Sequence, residues 1–235
     1  MYSALPERDG TAAVVTLDRR EGPFGEVALR RRGQDYEIIA NGCFLMDTAD
    51  GRSERLLIGV ALEELDRTGP VARPSLLIGG LGVGFSLAHA AAEPRWGRIA
   101  VVERESAIID WHRTGPLAAF SAGALEDERV EVLHTDLLEY LAGADGARYD
   151  ALCLDIDNGP DWTVTDGNAG LYGADGLAVL RHRLEPGGVL AVWSAQPSPA
   201  FEEELRTAGF SDVLTHEIEV ARGVPDVVHL ARRAR

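Results

Sequence analysis

From residue 74 onward the chain alternates uniformly apolar runs of strand length with segments of helical periodicity, and this alternation is what most constrains its fold. The strand-length runs are SLLIGG, RIAVVE, VEVLHT, YDALCLD and GGVLAVWS. Helical segments fall among them and after them, near 84–93, 105–113, 136–142, 171–184 and 199–208. Strands that are apolar on both faces must be covered on both faces, and a parallel sheet flanked by helices provides that cover. The last two runs, DVLTHEIEV and VPDVVHLARR, are joined by a short ARG turn and read as an antiparallel hairpin. The expectation is an α/β protein with a mostly parallel, seven-stranded sheet ending in that hairpin.

The first third of the chain has a different texture. AAVVTL, GEVALR, DYEIIA and CFLMDT read as short strands separated by REGPFG, RRGQ and NG. Asn41-Gly42 between two apolar runs signals a tight hairpin. The segment ERLLIGVALEELDR has helical spacing, with Ser53 as its expected cap and Gly69-Pro70 as its stop. Two units follow: residues 1–68, a β-hairpin domain with a linking helix, and residues 69–235, the α/β domain.

Composition limits the partners. The net charge of −15 disfavours binding to a phosphate backbone and suits a cationic small molecule. All 23 basic residues are arginine, which excludes a catalytic lysine or a Schiff base. Cys43 and Cys153 lie in apolar runs without metal-ligand spacing and read as buried, reduced thiols. The six histidines show no metal-ligand spacing either, so no metal is expected. His182 and His216 read as surface residues, and His112 as structural. No apolar run is long enough to span a bilayer. MYSALPERDG does not read as a signal peptide, and a cytoplasmic location is expected.

In such a sheet, ligands bind where the parallel strands end. The first strand ends in Gly79, Gly80, Leu81, Gly82, Val83 and Gly84, a G-x-G-x-G turn with Phe85 where the dinucleotide fingerprint has its third glycine. The second ends at Glu103, 19 residues past Gly84, where a carboxylate can accept from both ribose hydroxyls. The third ends at Asp136, followed by Leu137; Asp136 suits an adenine amino group, a helix cap, or both. The fourth ends in LDIDNGP, which brings Asp155, Asp157 and Asn158 to the same edge. The loop beyond it carries Trp162, Asn168 and Tyr172 and has the length of a lid.

Together these residues resemble the spermidine synthase family, within the Rossmann-like class I methyltransferase fold, and in particular its short bacterial spermidine synthase-like members. The resemblance covers nearly the whole chain and includes YDALCLDIDNGP and LYGADGLAVLRHRLEPGGVLAVWS. It implies binding of S-adenosylmethionine or its decarboxylated form by Gly79, Gly80, Gly82, Gly84, Glu103, Asp136, Leu137 and Asp155. It also implies a homodimer. Spermidine synthases read GGGDGG at the turn, with an Asp implied to bind the amine end of the decarboxylated cofactor; Gly82 stands there. They read D-x-x-D-P after the fourth strand. Asp155 matches the first acid, implied to assist in deprotonating the acceptor amine, and Asn158 replaces the second, implied to bind the diamine. Glu54 stands for one acidic member of the N-terminal signature.

Gly82 removes a charge that would repel the carboxylate of intact S-adenosylmethionine, and its turn offers backbone N–H groups that suit one. On that ground methyl transfer to a small-molecule amine or hydroxyl ranks first, with Asp155 or Asp157 orienting or deprotonating the acceptor. Glu54, Asn158, Trp162 and Tyr172 are the expected acceptor contacts, and Trp111 and Trp193 are further candidates for the pocket wall. A divergent aminopropyltransferase using decarboxylated S-adenosylmethionine ranks close behind. A cofactor-binding protein without chemistry and a nicotinamide dehydrogenase rank well below.

Overall fold

The computed structural model describes residues 12–67, 69–143, 146–163, 166–218 and 224–235. The start of the chain, Thr68 at the expected domain boundary and the expected ARG turn lie outside the described residues.

Four strands, β1 (Val14–Gly22), β2 (Gly25–Arg32), β3 (Asp35–Ala40) and β4 (Cys43–Asp47), form an antiparallel sheet in the order β1-β2-β3-β4. Asn41 and Gly42 join β3 to β4 at φ +50° and +80°, the left-handed pair that a two-residue hairpin with native twist demands. Val27, Leu29 and Ile38 bury into a core shared with the helices of the larger unit.

Helix α1 (Arg52–Asp66) follows and packs on the large sheet. That sheet contains β5 (Ser75–Gly79), β6 (Arg98–Glu103), β7 (Val130–His134), β8 (Tyr149–Leu154), β9 (Leu184–Ser194), β10 (Phe210–Ile218) and β11 (Asp226–Arg233), in the order β10-β11-β9-β8-β5-β6-β7. The pairs among β5 to β9 are parallel, and β11 runs antiparallel to both β9 and β10. Helices α2 (Phe85–Ala92), α3 (Ser106–Arg113), α4 (Leu137–Ala142), α5 (Ala169–Tyr172), α6 (Ala174–Arg183) and α7 (Pro199–Thr207) fill the crossovers. The strands are apolar throughout because each face has its own core. Ile78 and Cys153 point into the α1–α2–α3 side, while Leu77, Leu152 and Leu154 point into the α4–α6–α7 side. Cutting Leu77, which is fully buried, to Ala would cost about 2–5 kcal/mol.

The chain winds outward from β5 through β6 to β7, then returns to lay β8 on the other side of β5. The order reverses between β5 and β8, and the crevice at their carboxyl ends is where such a sheet binds ligands. A buried ion pair fixes the elements around it. Arg232 of β11 meets Glu64 of α1 at 2.8 Å, both nearly sealed from solvent, and Arg232 also donates to the Gly187 carbonyl at 2.7 Å.

Three expectations need correction. Ser53 does not cap α1; Gly51 holds that position, and a side chain there would strike the Phe85 ring. The Ser53 hydroxyl is therefore available to donate to Asp226 at 3.0 Å. Cys43 is exposed rather than buried, because it begins the edge strand β4, whereas Cys153 is buried and burial pushes its thiol up. Strand β9 starts at Leu184, ahead of the glycines, with a register shift against β8 absorbing the extra residues. His182 and His216 are exposed. Among the described residues no helix is long and apolar enough to cross a membrane.

Candidate active site

A cavity of about 1570 Å³ runs along the carboxyl edge of the large sheet, with the N-terminal sheet and the start of α1 forming its other wall. Its two ends differ in construction.

One end is built from the β5–α2 turn. The Gly80 N–H donates to the Val102 carbonyl, and Gly80 sits at φ +90°, where a Cβ would meet the Asp155 carbonyl oxygen at 2.7 Å. Only glycine fits there. Glu103, at the end of β6, is 6% exposed. One of its oxygens accepts from the Leu81 N–H at 3.0 Å and the other from the Glu105 N–H at 2.8 Å. Burial pushes its carboxyl up, and those two donors pull it back down. Each oxygen retains acceptor capacity. Asp136 caps α4 through one oxygen, accepting from the Leu138 and Glu139 N–H groups at 2.8 and 3.2 Å, and lines the cavity beside Leu137. The cap is thus real, and the second oxygen is left for a ligand.

Gly82 lines this end too, at φ +50°, but the space beside it is taken. A Cβ on Gly82 would collide with Met46 Sδ, and the same sulfur accepts from the Val83 N–H at 3.2 Å. Behind the turn, His112 is buried, and burial pushes its imidazole down. Its neutral Nε2–H donates to the Gly82 carbonyl at 2.9 Å, which makes it a prop for the turn. Gly79 and Gly84 do not line the cavity. Gly79 gives room to Leu137 and Leu154, and Gly84 starts α2 in the left-handed conformation against His112.

The other end is acidic. Asp155, Asp157 and Asn158 come from the exit of β8, Glu54 from the first turn of α1, and Asp226 from the first residue of β11. Asp157 is 6% exposed and accepts from the Tyr172 hydroxyl at 3.3 Å. Tyr172 itself is buried behind it and does not line the cavity. Burial, reinforced by Asp226, pushes Asp155 up to about 7. Burial, reinforced by Asp155, pushes Glu54 up to about 8. Burial, reinforced by Asp50, pushes Asp226 up, while the Ser53 hydroxyl opposes the shift. One carboxylate oxygen of Glu54 is buried without a hydrogen-bond partner. Asp50, by contrast, is clasped by Arg52 at 2.7–3.0 Å and held low. Trp162, Asn168 and Trp193 complete this wall, with Trp162 61% exposed at the mouth. Trp111 lies elsewhere, donating to Asp18 of the N-terminal sheet at 2.8 Å.

Asp226, Ser53 and Met46 were not anticipated as site residues. Reading strand ends misses Asp226 because β11 is antiparallel: its beginning, not its end, reaches the ligand edge. The hairpin pattern itself carried that signal.

No protein-family model matches the chain. It is 30% identical over 181 residues to a polyamine aminopropyltransferase of Mycobacterium tuberculosis, covering 76% of this chain and 32% of that protein. It is 30% identical over 159 residues to polyamine aminopropyltransferase 2 of Pseudomonas aeruginosa, covering 63% of this chain and 42% of the relative. The chain thus spans between about a third and two fifths of the length of these relatives. Among solved structures, the spermidine synthase from Thermotoga maritima superimposes with a TM-score of 0.72 at 14% identity, over 93% of this chain and 73% of that one. A spermidine synthase in complex with the transition-state analogue AdoDATO gives 0.71 at 13% identity, over 93% and 72%. In sequence the chain is similar to polyamine aminopropyltransferases, and its fold is spermidine synthase-like.

Proposed function

We propose that this protein is a transferase that moves the aminopropyl group of decarboxylated S-adenosylmethionine onto a small cationic amine. The observation that carries this reading is the wall of three cavity-lining carboxylates, Glu54, Asp155 and Asp226, each raised first by burial and then by a neighbouring acid: Asp155 beside Glu54, Asp226 beside Asp155 and Asp50 beside Asp226. Such a wall becomes favourable when an ammonium enters it. The names of the curated relatives support the same reading.

Gly82 loses weight as an argument for the intact cofactor. Four amides of its turn, those of Gly80, Leu81, Val83 and Gly84, are bonded to Val102, Glu103, Met46 and Leu81. Few donors remain for a carboxylate. Methyl transfer from intact S-adenosylmethionine stays as the second reading, favoured by the missing acid at position 82.

The cavity fits an adenosyl sulfonium. Glu103 would hold the ribose hydroxyls through the acceptor capacity left on its oxygens, Asp136 the adenine amino group, and Gly80 leaves room for close approach. When bound, the sulfonium supplies a carbon already activated for displacement. The protein's work is then placement, exclusion of water and handling of one proton. Asp155, raised to about 7, is poised to take a proton from the acceptor ammonium near neutral pH, through its carboxylate oxygens. Glu54 faces it and keeps the ammonium in the wall.

Exposed Val14, Val15 and Leu17 on β1 support a homodimer built on the N-terminal sheet, as the resemblance implies. The activity is tested by incubating the protein and diaminobutane with each sulfonium separately and weighing the products. A diamine enlarged by an aminopropyl group is expected. A methylated amine formed only from the intact sulfonium would replace this reading with the second.

A further inference from the structure

The family's second acceptor acid is absent at Asn158, yet the acceptor end of the cavity is not short of charge. Asp226 lines the cavity from the first residue of β11, and the antiparallel run of that strand beside β9 puts its start at the same edge as Asp155. Its position is fixed from two sides. The Ser53 hydroxyl donates to Asp226 Oδ2 at 3.0 Å, and the Arg232–Glu64 pair ties β11 to the helix that carries Ser53. Among the described residues no ion pair joins an arginine to Glu54, Asp155 or Asp226; Arg52, whose charge opposes the rise of Asp226, is clasped by Asp50, and Arg55 acts on Glu54 only through its field. The partnerless buried oxygen of Glu54 is a second observation that points to a missing donor. An ammonium group supplies such donors.

We propose that Asp226 is the specificity-determining anchor for the distal ammonium of a diamine acceptor, replacing from the C-terminal hairpin the acid that the family carries at the position of Asn158. This inference rests on the amine-acceptor reading above. A diamine lying along the wall puts its reacting nitrogen at Asp155 and its far nitrogen at Asp226. The far nitrogen stays charged, while the near one surrenders its proton. A monoamine lacks the group that Asp226 holds and gains nothing from it.

The test is calorimetric titration of diaminobutane and butylamine into the protein loaded with methylthioadenosine, comparing wild type with Asp226→Asn, with turnover measured in parallel. Losing one charge-assisted contact is expected to weaken diaminobutane about ten- to a hundredfold and leave butylamine within about twofold. Ser53→Ala, which keeps the charge and removes only its orienting hydroxyl, should weaken diaminobutane less, and its unfolding temperature checks that the site is intact. Equal losses for both amines, no loss for either, or no diaminobutane binding to wild type would each overturn the inference. If the wild-type protein binds diaminobutane through Asp226 but transfers nothing to it, the anchor stands and the transfer reading falls. If transfer to diaminobutane proceeds with unchanged KM in Asp226→Asn, the transfer reading stands and the anchor falls.

Discussion

The two ends of the cavity are assembled in opposite ways. The glycine-turn end is made by neighbours in sequence: β5, its turn, α2 and the end of β6, with Glu103 bonded to Leu81 only 22 positions away. The acidic end is made by strangers, as the bond between Ser53 and Asp226 spans 173 positions. The first end is largely satisfied, with four amides of its turn bonded and its glycines packed against Met46, Asp155 and His112. The second holds raised carboxylates and a partnerless oxygen. A satisfied turn, proposed to hold the donor, thus meets a wall of raised carboxylates, proposed to hold the amine. Each half can be perturbed without the other, and that separation can be broken or sharpened by experiment.

The largest effect should come from Asp155→Asn. Turnover is expected to fall about 10²–10⁴-fold with cofactor affinity nearly unchanged. Full activity in this variant would remove Asp155 from proton transfer. Glu103→Ala attacks the other half. It removes the proposed ribose contacts and strands the Leu81 and Glu105 amides, so cofactor affinity should drop about a hundredfold or more while amine binding changes little. Unchanged affinity in titration would end the ribose assignment.

Gly82→Asp examines the boundary between the halves. The backbone at φ +50° is left-handed and strains any side chain, Asp less than most, and the new Cβ would also collide with Met46 Sδ. The single variant should lose about 1–3 kcal/mol of stability by overpacking. Adding Met46→Ala should restore much of that loss and sharpen the preference for the decarboxylated sulfonium. A single variant as stable as wild type in urea unfolding would contradict the packing at this turn.

The most diagnostic effect is that of pH. Asp155 and Glu54 are raised above their unfolded values, so between about pH 4 and 8 the native state holds more protons than the unfolded one. Stability without ligand should therefore fall as pH rises through this window. Diamine binding should do the reverse, strengthening by up to about tenfold per pH unit as the wall ionises while the amine stays charged. Thermal scans from pH 5 to pH 9 with and without diaminobutane read both trends, each in its stated direction (about 5 to 9 spans both titrations). Parallel curves would mean that the wall does not titrate.

What the sequence made legible follows the same division. Apolar runs announced all seven strands of the large sheet, and the Asn41-Gly42 pair announced its hairpin, because burial on both faces and φ > 0 leave local marks. Asking what ends each parallel strand picks out Glu103 and Asp136, and both line the cavity. Asp226 escaped because that question has the wrong polarity for β11. Met46 escaped because its contact with Gly82 joins two sheets, which no local pattern records. Ser53 was seen, but as a cap. Gly51 serves there because Phe85, 34 positions later, forbids a side chain.

The central claim is that the donor end suits a sulfonium without a carboxylate and that the far end suits an amine. Titrating S-adenosylmethionine and its decarboxylated form side by side by calorimetry tests it most directly. Tighter binding of the decarboxylated form is expected, because four amides of the glycine turn are already used and the wall opposite is acidic. Tighter binding of the intact form would mean that the turn at Gly82 accepts a carboxylate after all, and would make methyl transfer the function.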